Sequence, residues 1–163
     1  MNEIQVLLER ANKLHEVADH LAFVTYPVVK EPKLIFTIAE HVLNACILAM
    51  DALLYYELLY KRINSYNKES FAEKISILKT RIAPKYGIER KHVFLIEEIK
   101  NMLENRQNSK IEFAKRNEVI FCSHDYDVKI ISIEKAKNYV YESKAFLNRV
   151  NTLLKPTQNA RRL

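Results

Sequence analysis

The chain has 163 residues, 26 basic and 20 acidic, with a formal net charge of +6. That length suits one compact domain that can bury an apolar core without disulfides or metals. A single glycine, Gly87, and four prolines leave few residues for tight hairpin turns, which argues against a turn-rich β architecture and for an all-helical protein. Cys46 and Cys122 stand far apart inside apolar runs. They read as reduced core residues rather than a disulfide or zinc site, which fits a cytoplasmic compartment. No basic segment followed by an apolar stretch opens the chain, so no signal peptide is expected.

The charge is unevenly spread. Residues 1–60 carry 4 basic and 8 acidic side chains, residues 61–92 carry 9 and 3, and residues 93–163 carry 13 and 9. The basic excess is therefore densest from Lys61 to Lys91, with a small second cluster at Arg161 and Arg162. Such a pattern fits either a polyanion partner or a solvated charged face.

In chain order, Asn2 can cap a first helix whose apolar stripe runs through Ile4, Leu7, Leu8, Ala11, Leu14, Ala18, Leu21 and Ala22. His15 and His20 are five apart and point about 140° away from each other around a helix, so they cannot share a metal. Pro27 and Pro32 bracket an expected extended link from Tyr26 to Lys33. A second helix from Leu34 to about Ile63 is apolar around most of its circumference. Its charges, among them Glu40, Asp51 and Glu57, argue for a buried helix and against a membrane span. Two readings of that helix stand: a central core helix, or a helix from Leu34 to Tyr60 that also meets a second copy in a homodimer, with Ala39, Ala45, Ala49 and Ala52 allowing close approach.

A third helix is expected from Ser70 to about Ile82, ending before Pro84 and Gly87. From Glu89 a long helical pattern follows through Val93, Ile96, Ile99, Met102, Leu103, Phe113 and Ile120, with a break conceivable in the polar segment Glu104 to Lys110. Asp125 to Ile131 reads as a connection. Ser132 caps a last helix with Ile133, Ala136, Val140, Ser143, Leu147, Val150 and Leu154 in three-four spacing, which Pro156 ends. The whole is an all-α, up-and-down antiparallel bundle of about five helices over residues 1–155, with a flexible basic tail at 156–163.

The stretch from Lys115 to Tyr126 then falls at the end of the fourth helix and holds Arg116, Asn117, His124 and Tyr126. An arginine can grip phosphate with two parallel hydrogen bonds, and a histidine can move a proton near neutral pH. Together they suit metal-independent cleavage of RNA. The pattern Arg116-Asn117, a spacer, then His124-Asp125-Tyr126 resembles the HEPN superfamily, in particular the toxins paired with minimal nucleotidyltransferases. The spacer here is longer than in that family, so either a longer loop still brings His124 to the site or the domain binds without cutting.

That resemblance implies an endoribonuclease or toxin component of a toxin–antitoxin pair, needing no cofactor. His124 would be the base, Arg116 the phosphate-binding cation and Asn117 an orienting amide, with Lys115 and Tyr126 as RNA contacts or Tyr126 as a site of modification. It also implies a homodimer and a nucleotidyltransferase antitoxin as partner. The alternative is a non-catalytic helical interaction or nucleic-acid-binding module that uses the Lys61 to Lys91 segment. Simpler roles exist for each residue: Arg116 can pair with Glu112, Asn117 can serve the backbone, His124 can meet helix-end carbonyls, and Tyr126 can be a partly buried ring.

Overall fold

The computed structural model describes residues 2–122 and 126–155. It contains α1 (Glu3–His20), α2 (Tyr26–Val29), α3 (Leu34–Leu59), α4 (Phe71–Ile77), α5 (Ala83–Tyr86), α6 (Arg90–Gln107) and α7 (Ile133–Leu154), with strands β1 (Glu112–Lys115), β2 (Glu118–Cys122) and β3 (Val128–Ser132) between α6 and α7. A π-helical turn, Leu21–Thr25, joins α1 to α2, and another, Leu78–Ile82, joins α4 to α5. Among the described residues the protein is thus mostly helical, with five helical segments, but it is not purely α.

Helix α3 is the axis of the molecule. It packs against α1, α6 and α7, and residues from Ile35 round to Leu54 are buried on nearly every side. Ala39, Ala45, Ala49 and Ala52 are covered by the chain itself, so the small residues serve close packing inside the domain. By length and composition α3 could cross a membrane, yet 56% of its most apolar window is buried within the protein. The outer helices are positioned by their sequence signals. Asn2 caps α1 by accepting from Gln5 N–H at 2.9 Å, and Ser132 caps α7 by accepting from Lys135 N–H at 3.1 Å. Between them, Asn12 and Asn151 exchange amide hydrogen bonds of 2.9 and 3.1 Å, and His15 Nε2 lies 2.9 Å from the Val140 carbonyl. His15 is therefore part of the α1–α7 joint.

Two prolines that were expected to end helices are instead absorbed. Proline in a helix lacks an N–H and its ring crowds the carbonyl four residues back. At both sites a wide π turn precedes it: Tyr26 N–H reaches Leu21 O ahead of Pro27, and Ala83 N–H reaches Leu78 O ahead of Pro84. The expected extended link at Tyr26 to Lys33 is accordingly helical as far as Val29, and the third helical segment continues through Tyr86. Each segment then stops on a left-handed residue, Lys30 (φ 51°) and Gly87 (φ 65°).

The largest departure from expectation lies after Gln107, where α6 ends and the chain forms an antiparallel sheet in the order β1-β2-β3. Arg116 and Asn117 form its first turn, between the paired residues Lys115 and Glu118. Asn117 takes φ 64°, supplying the left-handed residue that a tight hairpin needs where glycine is absent. The turn is fastened to the helices by Tyr26, whose hydroxyl donates to Asn117 Oδ1 at 3.2 Å, and by Ile133 N–H, which donates to the Asn117 carbonyl at 2.9 Å. Val119, Phe121 and Ile131 face the core, where Phe121 meets Phe36 edge-on at 6.0 Å between ring centroids. Phe113, Ile120 and Ile130 lie in cross-strand register on the opposite face.

The two faces are expected to differ sharply in energy. Phe121→Ala should destabilise the fold by roughly 3–5 kcal/mol, and Phe113→Ala by less than about 0.5 kcal/mol. Urea denaturation of the two variants measures both.

Candidate nucleic-acid interface

The basic segment is shaped by how α3 ends. Arg62 N–H bonds to Glu57 O at 2.9 Å and Lys61 N–H bonds to Leu58 O at 3.0 Å, the paired bonds of a Schellman cap. The cap requires a left-handed residue, and Lys61 fills it at φ 56°. A sharp change of direction follows, which turns Lys61 and Arg62 toward α4. Helix α4 is fixed opposite by Ser70, which accepts from Glu73 N–H at 3.2 Å, while the Glu73 carboxylate accepts from Asn67 N–H at 2.8 Å and so orders the connection. Lys74 anchors α4 back on α3 through Asp51 at 2.9 Å.

Between the connection and α4 lies a cleft of about 540 Å³. Lys61, Arg62 and Arg81 bring three cations to its lining, with Glu73 as the one carboxylate and Asn64, Ser76 and Tyr66 among its polar groups. It is an electropositive recess with hydrogen-bonding capacity and an aromatic ring.

One of these cations, Arg62, is held by a buried carboxylate. Glu57, on the last turn of α3, is 2% exposed. Arg62 donates to it through Nε at 2.9 Å and Nη2 at 3.2 Å, Lys85 Nζ lies 3.1 Å away, and the Tyr86 hydroxyl donates to it as well. The Arg62 guanidinium also lies over the Tyr56 and Tyr60 rings, 5.0 and 4.8 Å from their centroids. Burial by itself pushes the Glu57 pKa up, but the donors Arg62, Tyr86 and Lys85 outweigh it and hold the carboxyl below the ordinary glutamate value. Burial first, and then the neighbouring carboxylate, push the Tyr86 phenol up, so it stays protonated and donating. Arg149 Nη2 completes the assembly by donating to the Tyr86 carbonyl at 2.7 Å.

The residues singled out by the HEPN-like pattern are placed differently. Lys115 ends the exposed strand β1, and Arg116 is exposed at the hairpin turn. Asn117 is a structural turn residue engaged by Tyr26 and Ile133. Tyr126 is 89% exposed with φ 61°. It stands two residues before β3, at the other end of the sheet from Arg116, because Cys122 pairs with Val128 while Glu118 pairs with Ser132. At about 3.4 Å per residue, the five residues of β2 carry the chain roughly 17 Å away from the Arg116–Asn117 turn. The structure thus does not bring Arg116 and Tyr126 together. His124 lies outside the described residues, as do Arg161 and Arg162.

Sequence reasoning located the basic segment but not its organiser. Glu57 was visible only as a charge in an apolar helix; the signal was that it sits next to Tyr56, three residues before Tyr60 and five before Arg62. No family model, curated protein or solved structure matches the chain.

Because Glu57 titrates at lower pH when folded than when unfolded, its contribution to stability is complete above the ordinary glutamate range and is lost as pH falls through the lowered value. Glu57→Gln should therefore destabilise the protein at pH 7 and flatten the decline in stability between about pH 5 and pH 2. Urea midpoints of wild type and variant across that range provide the comparison.

Proposed function

We propose that this protein is a helical nucleic-acid-binding module that takes single-stranded RNA across the cleft between the Lys61–Tyr66 connection and α4. The observation that carries this reading is the cleft itself: three cations converge on a polar recess, and one of them, Arg62, is stacked with Tyr56 and Tyr60. Single-strand binders combine a cationic groove for the phosphates with aromatic faces for the bases. Here Tyr60 is exposed and Tyr66 lines the cleft, so both elements lie along one short segment. Lys79 and Lys85 extend the basic character along the same third helical segment, although each also pairs with a carboxylate.

Lys61 offers a clean separation of binding from folding. Lysine in a left-handed position is strained by roughly 1–2 kcal/mol, whereas glycine accepts it freely. Lys61→Gly should leave stability unchanged or raise it by up to about 1 kcal/mol. Combined with Arg81→Ala, it should weaken binding to a fluorescent single-stranded RNA roughly 10- to 30-fold near 0.1 M salt and lower the salt slope by about 1.4, the loss of two phosphate contacts. Lys129→Ala, outside the cleft, serves as the control. Equal affinity of wild type and the double variant would remove the cleft from the account.

Ribonuclease activity of the HEPN type, with a nucleotidyltransferase antitoxin as partner, is the second reading. The exposed Arg116 supports it, since its side chain makes no ion pair or hydrogen bond among the described residues. On that reading, wild type cleaves RNA in the presence of EDTA and Arg116→Ala and His124→Ala both lose the activity. Equal rates in all three proteins would exclude it.

A further inference from the structure

We propose that strand β1 is a self-pairing edge through which two copies of this chain join their sheets into one of six strands. The sheet is open at β1: the order is β1-β2-β3 and all four residues of β1 are exposed. In an antiparallel pair, alternate residues turn their N–H and C=O toward the neighbouring strand. Ile111 O accepts from Cys122 N–H at 3.1 Å, and Lys115 and Glu118 flank the two-residue turn. Residues 111, 113 and 115 therefore address β2, and Glu112 and Ala114 direct their backbone groups outward, where a second strand can pair with them.

The sequence of this edge is complementary to itself. A two-fold axis normal to the sheet permits only registers in which the two opposed residues share a face. In the register centred on Ala114, each Ala114 exchanges both backbone hydrogen bonds with Ala114 of the second copy. Glu112, whose carboxylate accepts from Arg106 Nε of its own chain at 3.1 Å, then stands opposite Arg116 of the second copy, and Phe113 opposite its Lys115, with each pair occurring twice. Opposite charges across a strand pair stabilise it, and a lysine over an aromatic face adds a further attraction.

The face exposed beside that edge points the same way. Antiparallel sheets with one solvated face ordinarily carry polar residues there. Here Ile111, Phe113, Val128 and Ile130 are each more than half exposed, and Phe113, Ile120 and Ile130 form a continuous cross-strand row. Joining two sheets at β1 doubles this row and covers its Phe113 end. An unpaired edge next to apolar surface is otherwise an aggregation hazard, and self-pairing removes it at β1. The α3 alanines that would allow close approach of a second helix are covered within the chain.

The test is sedimentation equilibrium of the full chain from about 10 μM to about 1 mM. This range is set by an interface smaller than the ~1,600 Å² of a standard complex. Wild type should show a reversible monomer–dimer equilibrium. Ala114→Pro removes the outward N–H, which an edge strand tolerates, and should be monomeric with an unchanged helical circular dichroism spectrum. Arg116→Glu should weaken the dimer at least tenfold, and the double variant Glu112→Arg with Arg116→Glu should restore it. A wild type that is monomeric at every concentration overturns the proposal, as does a folded Ala114→Pro variant that still dimerises. Should Ala114→Pro not fold, the charge exchange decides: no restoration in the double variant is equally decisive against pairing at β1.

Discussion

A carboxylate removed from water at the end of a central helix survives only if its charge is met from several sides. Glu57 is such a group, and the arrangement of the basic half of the molecule follows from it. Removing one partner from a buried pair leaves an uncompensated charge at a cost of several kcal/mol, so the donors cannot drift. Arg62, Lys85 and Tyr86 come from two different segments of the chain, and their convergence ties the end of α3 to α5. The same bonds orient the Arg62 guanidinium against Tyr56 and Tyr60 and hold the start of the connection that walls the cleft. One interaction thus serves both the fold and the wall of the cleft.

That surface also depends on helical segments that run on past a proline. The π turns ahead of Pro27 and Pro84 absorb the missing hydrogen bond and the ring, so each helical segment continues past its proline and stops on a left-handed residue. At the second site this places Arg81 inside the wide turn, facing the cleft, and Lys85 and Tyr86 on the next turn, facing Glu57.

How much of this could be read from sequence depends on which signals were unambiguous. Asn2 and Ser132 announced α1 and α7 because a capping side chain followed by a three-four apolar stripe has few competing explanations. Helix α3 was evident from its length, although the same apolarity suited both a core helix and a helix shared with a second copy. The sheet was hidden because Phe113 and Ile120 extend the helical spacing of α6 as readily as they fit alternation along strands. The scarcity of glycine seemed to exclude hairpins, yet Asn117 provides the left-handed turn. That one misreading moved Arg116 from the end of a helix to a hairpin tip, and so changed what the HEPN-like pattern can mean. The hub at Glu57 was out of reach for a different reason: a contact between α3 and α5 is a tertiary fact, and no local spacing encodes it.

On the proposed reading, the cleft beside Lys61 is where the protein meets a polyanion. Titration of the isotopically labelled chain with a short single-stranded RNA, followed by backbone amide chemical shifts, tests that most directly. Shifts concentrated on residues 60–66 and on 72–81, fading as salt is raised, are the predicted result. Shifts confined to the sheet around Arg116 and Tyr126, or none at saturating RNA, would contradict it.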